Sequence, residues 1–209
     1  MAKLWTFLTN KMEVAFPLAI ALFAAILSIN DLFGGRFGSD ELEMSNRRNN
    51  AYQWYQSKGI KETMLEGQLE LLQSLLLSGT ISSEKISAVE KLSNESKTRI
   101  ARYSREKKEI LQGSKALNKD QWIQDIEGEL GKVVGAKEYD KFLQDLGDAG
   151  DLFDIGSMLL QICLVIGAIG IILNRDNMKS KFLALTLGTG LVGTLFFTRA
   201  LWLANQVPY

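Results

Sequence analysis

Three apolar runs constrain what this chain can fold into: Val14 to Ile29, Ile155 to Leu173 and Phe182 to Thr198 contain no charged side chain. With its flanks, each reaches the length of helix that crosses hydrocarbon, about 17 to 25 residues. Backbone in lipid must satisfy its own hydrogen bonds, and a helix does so within one segment. Three transmembrane helices are therefore expected. Most of the 24 Lys plus Arg and 24 Asp plus Glu of the 209 residues lie between Arg36 and Asp148. The expected organisation is an N-terminal segment and first span over 1–35, an extramembrane helical domain over 36–149, and second and third spans over 150–209 joined by a short basic turn at 174–181.

Lys3 and Lys11 ahead of the first run would suit a secretory signal. No clean small-x-small cleavage site follows, so an uncleaved anchor is expected. Cytoplasmic segments beside short spans carry an excess of Lys and Arg. Lys3 and Lys11, with Arg175, Lys179 and Lys181 in the basic turn, put the N-terminus and that turn in the cytoplasm. The 36–149 domain and the C-terminus are then outside. Asp148, Asp151 and Asp154 ahead of the second span agree with that orientation; Arg36, Arg47 and Arg48 after the first count against it.

In the middle segment, the glycines of NDLFGGRFG, Asn30 to Gly38, predict a break after the first span, and Ser39 can cap a new helix. Ala51, Tyr55, Lys58, Glu62, Leu65, Leu69, Leu72 and Leu76 recur at alternating spacings of four and three, a heptad seam. After a stop at Gly79, with Thr80 or Ser82 as cap, Ile86, Val89, Ser93, Ser96, Ile100, Tyr103, Lys107 and Ile110 form a second seam. Two helices joined by a short loop run antiparallel. The fold class expected is thus an all-α membrane protein with three transmembrane helices and a long antiparallel helical hairpin between the first and second. Asn118 and Gln121 have capping-box spacing, which predicts a third helical piece carrying Trp122, Ile123, Ile126 and Leu130.

Chemistry is sparse. Without histidine there is no imidazole base, Ser-His triad or His-ligated metal, and the single Cys163 cannot build an iron-sulfur or Cys-rich zinc site. No cofactor, metal or catalytic residue is assigned. The string LGTGLVG at 187–193 lies inside an apolar span, and Thr186, Gly190 and Gly193 read there as helix-packing residues. Cys163 and Gly167 in the second span, and Ala21 and Ala25 in the first, offer the same kind of close-approach surface. Asp151, Asp154 and Gln161 form a possible ion or polar site, although carboxylates at a span edge also serve the helix dipole. The basic run Lys97 to Lys108 reads as a solvated face balanced by Glu62, Glu66 and Glu70 on the opposite arm. The aromatic group Tyr52, Trp54 and Tyr55 is expected at a partner contact, with Tyr55 also on the seam. Nucleic acid is not an expected partner.

The stretches AYQWYQSKGIKE, GQLELLQ, RIARYSREKKEI and FDIGSMLLQICLVIGAIGIIL, followed by a basic turn and a glycine-rich last span, resemble the uncharacterised bacterial membrane family catalogued as domain of unknown function 4337. The resemblance runs from the first span to Phe197 and implies a bacterial inner-membrane protein with a helical extramembrane segment, but no activity. The expected role is a non-enzymatic scaffold or accessory subunit, in contact with the lipid bilayer and assembled as a homo-oligomer or larger complex. The alternative is an oligomeric channel or transporter component using the acids at the start of the second span.

Overall fold

A computed structural model describes residues 12–207. Among these the chain is helical, with four helices: α1 (Met12–Leu77), α2 (Ser83–Gln112), α3 (Ala136–Ile172) and α4 (Asp176–Ala204). Three of them, α1, α3 and α4, are long and apolar enough to cross a membrane. Two single 3-10 turns, Ser114–Ala116 and Lys119–Gln121, and a two-residue antiparallel ribbon, β1 (Asp125–Ile126) with β2 (Glu129–Leu130), fill the link between α2 and α3. Lys3 and Lys11 lie outside the described residues. The basic segment expected as a turn at 174–181 is helical from Asp176 onward.

Two compact units result, one of residues 44–141 and the other of the chain before and after them. In the latter, phenylalanine rings fill notches left by glycine. A Cβ on Gly170 would overlap the Phe16 ring and one on Gly190 the Phe23 ring, while one on Gly167 would lie 2.8 Å from Ile20 Cγ1. On α4, Gly193 receives Leu160 of α3 in the same way, at 2.9 Å from its Cγ. Phe16, Phe23, Leu160, Cys163, Leu183 and Thr186 are all buried. Between apolar helices in lipid, packing of this kind replaces the hydrophobic drive available in water.

The glycine break expected at 30–38 does not occur; α1 continues through Gly34, Gly35 and Gly38. Each glycine costs about 1 kcal/mol of helix propensity, and neighbouring rings offset it. Phe33 and Phe37, one turn apart, stack at 6.4 Å, and Phe153 and Phe197 close the cluster at 5.6 Å from Phe37 and 6.3 Å from Phe33. Ser39 caps nothing: its hydroxyl donates to Gly35 O inside the helix. One turn before the rings, buried Asn30 donates from Nδ2 to Phe153 O at 3.0 Å and to Ser157 Oγ at 2.6 Å, and Ser157 donates on to Asp31. This polar clasp fixes the register of α1 on α3.

In the 44–141 unit, α1 ends where Gly79 takes a φ of 67°. Thr80 donates back to Leu75 O, so it serves the end of α1, and Ser82 stands at the N-cap of α2 without a side-chain capping bond. The third helical piece expected over 118–130 is also absent. Asn118 makes no capping bond, and the segment is turns and ribbon instead. The reason is a non-local one. Glu109, fully buried near the end of α2, accepts Ile123 N and Gln124 N on Oε2, both at 2.8 Å, and the Ser114 hydroxyl on Oε1 at 2.7 Å. Ser114 in turn accepts Val133 N on its hydroxyl, and its carbonyl accepts the Trp122 indole N–H at 2.7 Å. Gly135 allows the loop to close, because a side chain there would run into the backbone of Gln112 and Gly113.

Candidate functional site

Two places in the chain gather polar and aromatic side chains. The first is the face that joins α1 and α2 within the 44–141 unit. Heptad spacing puts Lys58 and Glu62 among apolar residues, and both find opposite charges on α2. Glu106, 1% exposed, pairs with Lys58 Nζ at 2.6 Å and with Arg102 Nε at 2.7 Å, while Lys107 donates to Glu62 at 2.6 Å. The two ammonium groups also lie over rings, Lys58 over Tyr103 at 5.6 Å and Lys107 over Tyr55 at 5.5 Å. The Glu62 contact is the balance expected for the basic run. Buried Glu106 thus meets α1 where its seam is polar, at Lys58.

These charges set a pH window. Burial alone would raise the Glu106 carboxyl, but the Lys58 ammonium and Arg102 guanidinium outweigh it and hold the group below its ordinary 4.5. A folded value below the unfolded one gives stability that is fully present above about pH 4.5 and is lost as pH falls through the folded value. Lys107 is raised above 10.5, chiefly by its bond to Glu62, so its contribution is present below that value and is lost in stronger base. Acid should therefore loosen the α1–α2 contact before it affects the apolar helices. Glu106→Gln should flatten the acid limb of a stability-versus-pH curve measured by helix-pair hydrogen exchange, while leaving the alkaline limb in place.

The expected partner-contact rings are engaged by their own chain. Tyr52 donates to Asp140 Oδ2 at 2.7 Å, and that bond is the main cause of its raised pKa. Arg48 approaches the same carboxylate at 3.8 Å. Tyr55 lies on the seam beneath Lys107. Trp54 is half-buried and borders a cleft of about 440 Å³ with Ala51, Ile126, Val133, Val134 and Tyr139.

The second place is a cleft of about 330 Å³ between α3 and α4, lined by Asp148, Asp151 and Leu152 on one helix and Arg199, Trp202 and Leu203 on the other. Both triplets have the spacing i, i+3, i+4, so each occupies one helix face. Of the expected polar site only Asp151 lines this cleft; Asp154 and Gln161 are exposed elsewhere on α3. Of the expected packing residues, Cys163, Gly167, Thr186, Gly190 and Gly193 are buried, with Cys163 Sγ donating to Thr186 O at 3.1 Å. Ala21 and Ala25 are exposed, because α1 turns Ala19 and Phe23 inward instead.

The clasp residue Asn30, the knobs Phe16 and Phe23 and the buried Glu109 escaped the sequence reading. A polar side chain at the end of an apolar run was the available signal for Asn30; for Glu109 there was none. Among the described residues no group of three His, Cys, Asp or Glu converges as a metal site. Residues 12–203 match the family described as Domain of unknown function (DUF4337). No curated protein and no solved structure matches the chain.

Proposed function

Because the chain belongs to the DUF4337 family, whose members share no stated activity, we propose its role from its surfaces: a non-catalytic multi-pass membrane scaffold or accessory subunit, assembled through its helices. In this reading the three apolar helices cross a bacterial inner membrane. The N-terminus is cytoplasmic, and the far half of α1 and α2 form an antiparallel hairpin on the periplasmic side.

One observation carries the assembly reading. Ile60, Met64, Gly67 and Leu71 are all exposed on α1, with Ile60 62%, Met64 60% and Leu71 61% exposed. They recur at spacings of four, three and four. At about 100° per residue they lie on the side of the helix opposite Lys58, Glu62, Leu65 and Leu69. The inner stripe is already engaged by α2; the outer stripe is a second apolar face that no helix covers among the described residues. Copies embedded in one bilayer share their orientation, so two such stripes meet in parallel with Gly67 against Gly67, where close approach is possible. This supports a second copy as the first occupant.

Gently extracted protein should have a mass of two or more copies, and Ile60→Glu with Leu71→Glu should reduce it to one without loss of helicity. A wild-type chain that runs as a lone monomer contradicts the proposal.

A further inference from the structure

We propose that the cleft between α3 and α4 binds the headgroup of a phospholipid bearing a phosphate and a primary ammonium, that is, a phosphoethanolamine lipid. The inference rests on the membrane-spanning reading above. Asp148 and Asp151 face Arg199 across one cleft, yet among the described residues none of the three forms an ion pair. Opposite charges that line one space without meeting leave room for a group that carries both signs. A phosphate meets Arg199, which presents a planar fork of donors to it. An ammonium meets the two carboxylates, which accept its three N–H bonds.

The apolar part of the cleft fits the rest of the lipid. Leu152 and Leu203 continue the wall, and Trp202, 65% exposed, presents an indole beside them. Asp151 lies four residues before the apolar run that starts at Ile155, and Arg199 directly follows the run that ends at Thr198. That is the level at which headgroups meet hydrocarbon and where tryptophan is enriched. A volume of about 330 Å³ is at the low end of small-molecule sites, about 300 to 1,000 Å³, and suits a headgroup with its chains left in the bilayer. A phosphoglycerol lipid lacks the ammonium and would leave the carboxylates facing its phosphate. A phosphocholine lipid cannot donate to them.

The full chain is reconstituted in nanodiscs of equal phosphatidylethanolamine and phosphatidylglycerol, and the lipids retained on release are counted by native mass spectrometry. Phosphatidylethanolamine should be enriched by about threefold, the range that partly exposed ion pairs sustain. Enrichment should vanish in Asp148→Asn/Asp151→Asn, whereas Arg199→Gln should lower the retention of both lipids, which share the phosphate, and Arg199→Lys should keep it. Inserted protein with no preference, or with a preference that the double variant keeps, overturns the proposal while leaving the membrane reading intact. Chain that is stripped from membranes by carbonate overturns the membrane reading itself. Displacement of the lipid by millimolar free glycerophosphoethanolamine would overturn the assignment to a bilayer lipid in favour of a soluble ester.

Discussion

Replacing Glu109 with alanine should unfold the 113–135 link and destabilise the 44–141 unit by about 4 kcal/mol. Three donors converge on this carboxylate: the amides of Ile123 and Gln124 and the hydroxyl of Ser114. Alanine leaves all three without that acceptor, Ser114 and Gln124 in a buried place and Ile123 in a half-buried one, and each buried loss costs about 1 to 3 kcal/mol. Glutamine is the informative control. Its oxygen can still take both amides on the Oε2 side, while its NH2 turns toward Ser114, which must then find another acceptor for its own proton; a cost of about 1 kcal/mol follows. Amide hydrogen exchange at Ile123 and Gln124 separates the cases, with fast exchange in Glu109→Ala and near-native protection in Glu109→Gln. Equal protection in wild type and Glu109→Ala would show that the ribbon, and not the carboxylate, holds the link.

The second large effect is expected in the apolar helices. Gly190→Leu drives a side chain into the Phe23 ring, and in a close-packed interior such overpacking costs about 1 to 3 kcal/mol. Phe23→Ala alone removes a buried knob and leaves a cavity, costing about 3 kcal/mol or more. Together they should be less harmful than the sum by about 2 kcal/mol, because the new leucine occupies the space that the ring vacates. The measurement is unfolding of the detergent-solubilised protein for the four members of the cycle. Additive costs would mean that Gly190 and Phe23 do not share a contact.

These two predictions also show where the sequence was legible. The three long apolar helices were, because three charge-free runs stand out against a charged middle. The inner seam was as well: Ala51, Tyr55, Lys58, Glu62, Leu65 and Leu69 all turn away from solvent, and Ser93, Ser96 and Ile110 on the partner helix are buried. Both are periodic signals within one helix. What failed depended on contacts far apart in sequence. Glycines at 34, 35 and 38 break an isolated helix, but Phe153 and Phe197 arrive from more than a hundred residues later to hold it. Asn118 and Gln121 have the spacing of a capping box, yet a carboxylate on the preceding helix takes the amides of that segment first. Trp54 looked like an exposed anchor because the residues that flank it belong to that unpredicted link, as Ile126, Val133 and Val134 do, or to the start of α3, as Tyr139 does.

Self-association thus falls to the outer stripe and not to the aromatic group, whose rings are engaged within the chain. It is tested most directly in intact membranes by placing single cysteines along α1 from 58 to 72, with Cys163 replaced by alanine, and oxidising to form disulfides between copies. Cross-linking should rise at 60, 64, 67 and 71 and stay low at 58, 62, 65 and 69. Uniformly absent cross-links along the outer positions, or a maximum on the inner ones, would contradict an assembly built on this face.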